Sequence, residues 1–407
     1  MTADRVVIVL LNWNRAADTV ACLDSLRQAH LDGARVLVVD NGSRDGSIEI
    51  IRQQTPAQWI VALPDNQGYA GGNNAGIRAA LADGADAVLL LNNDTTVAPD
   101  FLHPLLQALN DSPTAAAVSS AVMRMDLPEL LDVAYVRVHL NLHGVVRLQG
   151  VNALPSEGFN ERRIVDVGTG CSLLLRAEAL RRVGLIDEAF FAYHEEVDWC
   201  IRARQMGYEI LWEPLSRVFH KGSGSTQHLR RRPTLTQADT HADLPHADDM
   251  VLPWNPVRTY LGARNSIRLI RKHANRGQKL RFVASTLAVI PLSVSATLMR
   301  REGYFRLNRW TYVDFLRTYF IERHALTGWY GRGGGRRVVA LMALLPLWLV
   351  DALIALPRDL WRAHRDGRTS EMEEHLRGLI DGVLNRPLPL VRLGLRGPVA
   401  KSGATSE

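Results

Sequence analysis

Short apolar runs alternate with stretches of helical spacing through the first hundred residues of the chain. Each apolar run is four to six residues long and is bounded by polar or turn-forming residues, as buried strands are. Continuous apolar strands that alternate with helices predict an α/β fold, with a mostly parallel sheet flanked by helices. The predicted strands are Val6–Leu11, Val36–Val39, Trp59–Leu63 and Val88–Leu91, and the predicted helices between them are Thr19–Gln28, Ser47–Gln54 and Asn73–Leu81.

The pattern changes twice farther along the chain. Residues 122–165 are irregular, with a β-like stretch near Val133–Leu142, and residues 222–256 form a second long polar loop. From Pro256 onward the spacing becomes helical, with arginine runs between apolar stretches. We therefore predict an α/β domain over residues 1–256, with halves that meet near residue 120, and a helical C-terminal region over residues 257–407.

Charge divides the chain at the same point. Residues 257–407 hold 26 Lys and Arg against 11 Asp and Glu, a net charge of +15, whereas the preceding residues hold 22 against 31, a net of −9. The basic rear half favours contact with anionic lipid or a lipid phosphate. No helix-turn-helix, zinc-finger or RNA-recognition pattern accompanies it, so nucleic acid is not expected as a partner.

Cysteine content and the N-terminus indicate the compartment. Only Cys22, Cys171 and Cys200 are present, without a CxxC pair, which favours a reducing environment. The apolar run Val6–Leu11 is too short for a signal peptide and is followed by polar Asn12. We expect the protein in the cytosol or on the cytoplasmic face of a membrane.

Polar residues follow each predicted strand, where open α/β sheets bind their ligands. After the first strand, Trp13 can stack on a nucleobase while Asn12 and Asn14 bind its edge or the ribose, although a tryptophan there is as often a packing residue. After the second, Asp40 can accept hydrogen bonds from a base or a ribose, with Asn41 in the turn that follows.

A glycine-rich segment and a third strand end complete this series. In Asn66–Gly76 the glycines permit close backbone approach, and the helix after it directs free N–H groups toward a sugar or anion; its candidate residues are Asn66, Gly68 and Asn73. Asn92, Asn93 and Asp94 follow the fourth strand. Asp94 is placed there to bind Mg²⁺ or Mn²⁺ that bridges a diphosphate, the alternative being a helix or turn cap.

Two later positions carry further candidate chemistry. Glu195, Glu196 and Asp198 crowd the first turn of a predicted helix, where an ionised carboxylate can act as a general base; an ordinary charged helix start is the alternative. His220 follows another apolar stretch and precedes a Gly/Ser loop. It is interpreted either as a metal or phosphate ligand or as a structural histidine.

Taken in order, these segments resemble glycosyltransferase family 2, with the GT-A fold, and within it the bacterial rhamnosyltransferase-like members. The resemblance covers most of residues 5–226, and a weaker similarity extends to Tyr260–His273 and Arg377–Gly382. The matching segments are Leu11–Asn14, Val39–Ser43, Asn66–Gly76, Leu91–Thr95, Val167–Cys171, Phe190–Tyr208 and His220–Thr226.

The resemblance implies an inverting transfer of a sugar from a nucleotide-diphosphate donor to a lipid-linked or polysaccharide acceptor in cell-envelope glycan synthesis. It implies that Asp40 contacts the donor base, Asp94 the metal, His220 the metal or diphosphate, and that Glu196 is the base. The family usually has Asp at that last position, so Glu195 and Asp198 remain alternatives. Rhamnose from dTDP-rhamnose is a family-based expectation for the donor. The nucleotide-sugar half would be residues 1–120 and the acceptor half residues 121–256.

Two apolar stretches in the C-terminal third raise the question of a membrane. Phe282–Met299 and Val338–Pro357 are just long enough to span a bilayer, and arginines bracket both. Pro291, Pro346 and Asp351 disfavour spanning, so helices that lie in the membrane interface are expected, as in a peripheral or monotopic protein. The alternative is a buried helical subdomain that forms a homodimer interface.

Two other function classes remain open. A nucleotidyltransferase that makes nucleotide sugars would have a glycine-rich, Lys/Arg-bearing phosphate loop after the first strand, which Leu11–Asn14 lacks. A non-catalytic glycan-binding relative is the second alternative.

Overall fold

The protein is described by a computed structural model, which covers residues 1–142, 145–222, 255–286, 361, 364–365 and 370–395. These residues fall into two compact units. The first contains residues 1–139, 146–222 and 384–395, and the second contains residues 140–142, 145, 255–286, 361, 364–365 and 370–383.

The strands and helices are numbered in chain order. The strands are β1 Val6–Asn12, β2 Arg35–Asp40, β3 Ile60–Ala62, β4 Ala87–Asn92, β5 Thr95–Val97, β6 Ala115–Arg124, β7 Leu131–Val133, β8 Tyr135–Val138, β9 Val146–Gln149, β10 Arg163–Ile164, β11 Ser172–Arg176 and β12 Glu209–His220. The helices are α1 Ala16–Arg27, α2 Ser47–Gln54, α3 Gly68–Ala82, α4 Leu102–Asp111, α5 Ala177–Val183, α6 Glu195–Gln205, α7 Pro256–His273 and α8 Ser370–Val383. Short 3₁₀ turns occur at Ala3–Arg5, Ala57–Trp59 and Glu188–Phe190.

One large sheet organises the first unit. Among the described residues its strand order is β10-β12-β6-β11-β4-β1-β2-β3, with β5 paired to β12 and β7 paired to β6. Strands β4, β1, β2 and β3 run parallel, as do β6 and β12, while β11 lies antiparallel between β4 and β6. A separate antiparallel hairpin is formed by β8 and β9.

This topology brings distant segments to one edge of the sheet. Because β1, β2, β4 and β12 share a direction, the strand ends at Asn12, Asp40, Asn92 and His220 all lie on the carboxyl edge. The antiparallel strand β11 begins at that edge, where Ser172 pairs with Leu91. Ligand sites of open parallel sheets form at this edge, so the topology places the candidate residues where such a site is expected.

Strand β1 lies at the centre of the core because its two faces pack against different helices. Val6, Ile8 and Leu10 join a buried cluster with Leu23 and Leu26 of α1. Full burial of each such side chain contributes about 1.5–3 kcal/mol. The opposite face packs against α3.

Helix α3 approaches that face closely because it presents glycines. A Cβ on Gly72 would collide with the Leu11 side chain, and one on Gly76 with Val9. These glycines therefore serve the packing of the helix on the sheet.

Helices α7 and α8 pack together in the second unit. The Tyr260 hydroxyl donates to the Asp381 carboxylate at 2.8 Å, and the Arg271 guanidinium donates to the last carbonyls of α8. Gly378 permits the close contact, since a Cβ there would collide with the Tyr260 carbonyl. The sequence similarity at Tyr260–His273 and Arg377–Gly382 thus falls on a helix–helix contact.

The predicted strands of the first hundred residues are confirmed, and no strand end is shifted by more than one residue. Helix α3 begins five residues earlier than predicted, at Gly68. Residues 287–299 of the first apolar stretch, all of Val338–Pro357 and most of the loop over residues 222–256 lie outside the described residues. In the described parts of the chain, no helix combines the length and apolar character needed to cross a bilayer. The predicted domain boundary at residue 256 stays a prediction.

Candidate active site

Asp40, at the end of β2, lies in a network of buried hydrogen bonds. Its carboxylate accepts from the Asn12 amide at 2.8 Å and from the Ser43 hydroxyl at 2.6 Å, and the Ser43 backbone N–H donates to its other oxygen at 3.1 Å. Asn12 in turn accepts from the Thr19 hydroxyl at 2.9 Å. Asp40 is 3% exposed. The strand ends of β1 and β2 are therefore locked to each other, and Asp40 is held in a fixed orientation.

Trp13 and Asn14 follow β1 on the outside of this network. Trp13 is half-buried and Asn14 is exposed. Asn14 adopts a left-handed backbone with φ of +54°, which asparagine tolerates better than most residues. Its side chain accepts from the Arg44 backbone N–H at 2.8 Å, so the turn after β1 is tied to the turn after β2.

The Asn41 side chain holds the glycine-rich segment in place by hydrogen bonds. Its amide group donates to the Asn66 side chain and to the Gly68 carbonyl, both at 3.0 Å, and its oxygen accepts from the Gln67 N–H at 2.9 Å. Asn66 also accepts from the Gly68 N–H at 2.8 Å. The loop before α3 is thus held by two buried asparagines, and its shape is fixed before any ligand binds.

The N-terminal amides of α3 are not free in the way that the sequence pattern predicts. The Gly68 amide is bonded to Asn66, and the Ala70 amide donates to the Phe191 carbonyl at 3.0 Å. Asn73 is 1% exposed and donates to the Tyr69 carbonyl within the helix. Because α3 begins at Gly68 and not at Asn73, the N–H groups at its start are different ones from those that the sequence pattern indicated, and protein acceptors occupy those of Gly68 and Ala70.

Asp94 and His220 meet at the same edge. Strand β5 follows Asp94 and pairs antiparallel with β12, where Thr95 lies opposite His220. The His220 Nε2 atom is 3.4 Å from an Asp94 carboxylate oxygen, and its Nδ1 atom is 2.7 Å from the Asp132 carboxylate. All three side chains are at least four-fifths buried.

The electrostatics of this cluster follow from that arrangement. Burial alone would lower the pKa of His220, but the hydrogen bonds and charges of Asp132 and Asp94 outweigh it and raise the pKa to about 10. Burial likewise opposes ionisation of Asp94, yet His220 and Arg15 hold the pKa of its carboxyl below the ordinary value. Asp94 is therefore an ionised carboxylate at neutral pH.

Hydrogen bonds connect the Asp40 network to Asn93, which precedes Asp94 in the chain. The Asn93 amide donates to the Thr19 hydroxyl at 2.9 Å, and Thr19 is bonded to Asn12. The Asn92 backbone N–H donates to the Cys171 carbonyl at 2.9 Å. The ends of β1, β2 and β4 and the segment that precedes β11 are therefore linked by hydrogen bonds.

Gly170, in the segment that precedes β11, lies next to the acidic first turn of α6. The Tyr69 hydroxyl donates to the Gly170 carbonyl at 2.6 Å, and a Cβ on Gly170 would lie 3.6 Å from the Glu196 side chain. Glu195 is 5% exposed and Glu196 is half-buried, and the two residues are consecutive at the start of the helix. Burial raises the pKa of both, and that of Glu195 most.

The backbone in front of α6 is strained. Phe191, Tyr193 and His194 have φ of +66°, +69° and +73°, a region that costs non-glycine residues about 1–2 kcal/mol each. Such strain persists only where the surrounding structure imposes it, and it concentrates at functional sites. Here it sets the direction in which α6 begins.

Asp198, unlike the other two acids, is paired with an arginine of its own helix. It is fully buried and its carboxylate accepts from the Arg202 guanidinium at 2.8 Å. Arg202 also donates to the carbonyls of Val183 and Leu185. The Asp198–Arg202 pair therefore braces α6 against the segment after α5.

The chemistry of the Asp94 cluster fits a divalent cation. Among the described residues no group of three or more His, Cys, Asp or Glu side chains is arranged to hold a metal ion. A metal ligand must be deprotonated, so His220 would have to release its Nε2 proton. Asp94 and that nitrogen would then supply two neighbouring ligand atoms, while Asp132 holds the ring by its bond to Nδ1, as outer-sphere carboxylates do. Mg²⁺ is commonly held by one or two protein ligands plus substrate phosphates.

Sequence reasoning missed Asp132, Thr19 and Ser43. Asp132 lies 88 residues from His220 and reaches it only because β7 pairs with β6 beside the end of β12. No local pattern signals that contact. Ser43 lies in the turn after the second strand, three residues after Asp40. A serine at that spacing often bonds to a nearby carboxylate or backbone group, so the sequence does indicate this bond.

Residues 7–183 match the family model described as glycosyl transferase family 2. A low-salt glycan biosynthesis hexosyltransferase of Haloferax volcanii is 26% identical over 213 residues, which are 51% of this chain and 64% of that protein. An N-acetylglucosaminyl-diphospho-decaprenol L-rhamnosyltransferase of Mycobacterium tuberculosis is 27% identical over 300 residues, which are 66% of this chain and 96% of that protein.

Among solved structures, a mannosyltransferase from Pyrobaculum calidifontis in complex with GDP-Man and Mn²⁺ aligns with 94% of this chain and 88% of its own, at 15% identity and a TM-score of 0.46. The fold class predicted from the sequence, a GT-A type α/β sheet flanked by helices, is confirmed by the observed sheet and the matched family. Residues 7–183 therefore match glycosyl transferase family 2, and both of these relatives are glycosyltransferases by name.

Proposed function

We propose that the chain is an inverting, metal-dependent glycosyltransferase that moves a sugar from a nucleotide-diphosphate donor to a lipid-linked or polysaccharide acceptor. One observation carries the proposal. The Asp40 network, the Asp94–His220 pair and the Glu195–Glu196 pair lie along one connected edge of the sheet, where β1, β2, β4 and β12 end.

The nucleoside would bind at the ends of β1 and β2. Asp40 uses three hydrogen bonds inside the protein, and a carboxylate accepts about four, so one acceptor position is left for a base or ribose donor. Half-buried Trp13 is available for stacking at the same strand end. The other residues that we propose for the nucleotide-sugar site are Asn12, Asn14, Asn41, Asn66, Gly68, Asn73, Asn92 and Asn93.

Asp94 and His220 would hold Mg²⁺ or Mn²⁺ together with oxygens of the donor diphosphate. The ion would neutralise the negative charge that develops on the departing nucleoside diphosphate. Asp132 would keep the His220 ring oriented by its 2.7 Å contact with Nδ1.

Glu196 would act as the general base. It lies beside Gly170 and Tyr69 and, unlike Asp198, is paired with no arginine in the part of the chain that the structure describes. The acceptor hydroxyl would give its proton to Glu196 as its oxygen attacks the anomeric carbon, and the bond to the diphosphate would break with its electron pair on the leaving group. A single displacement of this kind inverts the anomeric centre.

The donor and acceptor are proposed by analogy with a relative. The M. tuberculosis protein is named as an L-rhamnosyltransferase that acts on N-acetylglucosaminyl-diphospho-decaprenol. This name supports an L-rhamnose donor and a lipid diphosphate as acceptor, and dTDP is the family-based expectation for the donor nucleotide. A membrane-bound acceptor would also account for the net charge of +15 in residues 257–407, and a peripheral site on the cytoplasmic face of the membrane follows from it. Homodimer formation stays a prediction.

The test is a panel of nucleotide sugars incubated with the full chain, with and without Mg²⁺ or Mn²⁺. The proposal predicts metal-dependent release of nucleoside diphosphate and stabilisation of the native state by one donor. Asp94→Ala should abolish transfer, whereas Asp24→Ala, which removes a half-exposed carboxylate on α1, should not. Release of pyrophosphate from sugar-1-phosphate and a nucleoside triphosphate would instead identify a nucleotidyltransferase.

A further inference from the structure

Two partly exposed cations lie at the carboxyl edge of the sheet, and the proposed mechanism does not use them. Arg15 is the N-cap residue of α1, and Lys221 directly follows β12. Both bind the carboxylate of Asp18, in the first turn of α1. The Lys221 ammonium lies 2.7 Å from one oxygen, and the Arg15 guanidinium lies 3.0 Å from the other. The Asp18 side chain is 11% exposed, whereas those of Lys221 and Arg15 are 39% and 42% exposed, so one largely buried carboxylate holds two cations that reach solvent.

Lys221 is attached to the Asp94 cluster through its backbone. The Lys221 N–H donates to the Asp94 carbonyl at 2.9 Å. His220, the preceding residue, has its Nε2 atom 3.4 Å from the Asp94 carboxylate. The ammonium group therefore extends from the strand end that carries the proposed metal ligands.

Arg15 adjoins the proposed nucleoside site. Asn14, immediately before it in the chain, donates its backbone N–H to the Ser43 hydroxyl at 2.9 Å, and Ser43 donates to Asp40. Arg15 also helps to hold the pKa of the Asp94 carboxyl below its ordinary value, so its charge acts at the metal cluster as well. The two cations on Asp18 therefore connect the strand end proposed for the nucleoside with the strand end proposed for the metal.

Both cations keep hydrogen-bond donors for a ligand. An ammonium group has several N–H donors, and a guanidinium has more, in a planar fork that fits phosphate oxygens. In the described part of the chain, each side chain donates to Asp18 and makes no other hydrogen bond. The remaining donors of both groups are therefore available at the edge.

The diphosphate of a nucleotide sugar lies between the nucleoside and the sugar, and it is an anion. The same edge carries the acidic side chains of Asp40, Asp94 and Asp132, which repel an anion. Cations beside them offset that repulsion. The diphosphate becomes more negative as its bond to the sugar breaks, and arginine and lysine side chains aimed at such a group stabilise the charge that develops.

We propose that Arg15 and Lys221, held in place by Asp18, bind the diphosphate of the nucleotide-sugar donor beside the proposed metal ligands. This inference rests on the proposed function, since it names the partners of the donor diphosphate in the same site. Arg15 and Lys221 stabilise the leaving group, and Asp18 is a positioning residue that keeps both cations at the edge.

The first experiment measures the binding of inorganic pyrophosphate to the full chain by isothermal titration calorimetry, with Mg²⁺ present throughout. Pyrophosphate is a diphosphate without a nucleobase or a sugar, so the identity of the donor does not affect the result. Lys221→Gln and Arg15→Gln should each weaken binding by about tenfold, because each removes a charge-assisted hydrogen bond to phosphate. Lys221→Arg keeps the charge and should recover most of the affinity.

Arg27→Gln is the matched control. Arg27 is another arginine of α1 that pairs with an acid of its own helix, Asp24, and this variant should bind pyrophosphate as the wild type does. Thermal unfolding shows that each variant is folded, and Arg15→Gln decides the question if Lys221→Gln does not fold. Wild-type affinity in both glutamine variants, with only their stability reduced, would mean that Asp18 merely braces α1 against the end of β12. That result, or no binding of pyrophosphate by the wild type, would overturn the inference.

A lipid diphosphate acceptor has the same chemistry as the donor diphosphate, and transfer kinetics separate the two. Binding of the donor predicts that Lys221→Gln raises KM for the nucleotide sugar by about tenfold while KM for the acceptor stays unchanged. A rise confined to KM for the acceptor would overturn the assignment to the donor.

Failure of this inference can be told apart from failure of the proposed function. If pyrophosphate affinity depends on Arg15 and Lys221 but no nucleotide sugar is turned over, the diphosphate site stands and the transferase function is wrong. If metal-dependent transfer occurs and both variants keep the wild-type pyrophosphate affinity and donor KM, the function stands and the diphosphate site is wrong.

Discussion

Replacement of Gly68 by alanine tests how the glycine-rich segment positions the catalytic helix. Gly68 begins α3 with φ of +74°, and a Cβ built there would collide with the Phe191 carbonyl and lie 2.6 Å from the Phe191 Cγ atom. That carbonyl accepts the Ala70 N–H, and Phe191 opens the strained turn before Glu195. The substitution should therefore disturb both helix starts together.

The expected cost has two parts. A left-handed backbone costs alanine about 1–2 kcal/mol, and overpacking against a fixed backbone costs about 1–3 kcal/mol more. Gly68→Ala should therefore lower the free energy of unfolding by about 2–5 kcal/mol. Gly46 provides the matched control, since its φ is +81° but no heavy atom lies within 4 Å of a built Cβ. Gly46→Ala should cost only the backbone part, about 1–2 kcal/mol.

Urea unfolding followed by tryptophan fluorescence would measure both variants, and donor-dependent product formation would be assayed on the folded fractions. Gly68→Ala should lose activity even where it remains folded, because the turn that carries Glu195 and Glu196 has moved. Gly46→Ala should keep wild-type turnover. Equal destabilisation of the two variants would refute the claim that Gly68 is required by its contact with Phe191.

Other substitutions separate structural from functional roles. Asp132→Asn should loosen the His220 ring at the end of β12. It should therefore raise the metal concentration for half-maximal activity by about 10- to 100-fold, with little change in activity at saturating metal. An unchanged metal titration would contradict this. Asp198→Ala should cost about 3–5 kcal/mol of unfolding free energy, because it leaves the Arg202 guanidinium without its carboxylate; a loss below about 1 kcal/mol would show that the pair is not a brace. Asn74→Ala should cost about 1–3 kcal/mol by removing the hydrogen bonds between α3 and residues 186–188, as a thermal unfolding series would measure.

Much of the fold was predictable because each strand or helix is indicated by residues that are close together in the sequence. Buried parallel strands are continuous apolar runs, and the polar residues directly after them mark the carboxyl edge of the sheet. Asn12, Asp40 and Asn92 were identified in this way. The start of α3 was missed since Gly68, Gly71 and Gly72 are poor helix formers, and only the contacts with β1 and Phe191 make a helix favourable there.

The rest of the site depended on contacts between distant residues. The bond between His220 and Asp132 requires the pairing of β6, β7 and β12, which no periodicity reveals. The separation of Asp198 from Glu195 and Glu196 is a different case. Arg202 lies four residues after Asp198, the spacing at which helical side chains pair, and this signal favours a structural role for the aspartate.

The most direct test of the central claim is the turnover of Glu196→Gln in a metal-supplemented transfer assay, measured beside Glu178→Gln, which removes an exposed carboxylate on α5. If the carboxyl edge of the sheet carries the chemistry, Glu196→Gln should lower kcat by about 10²- to 10⁴-fold while the affinity for the donor stays unchanged, and Glu178→Gln should behave as wild type. Turnover of Glu196→Gln within about threefold of the wild type would contradict the assignment, since loss of a general base cannot leave the rate intact.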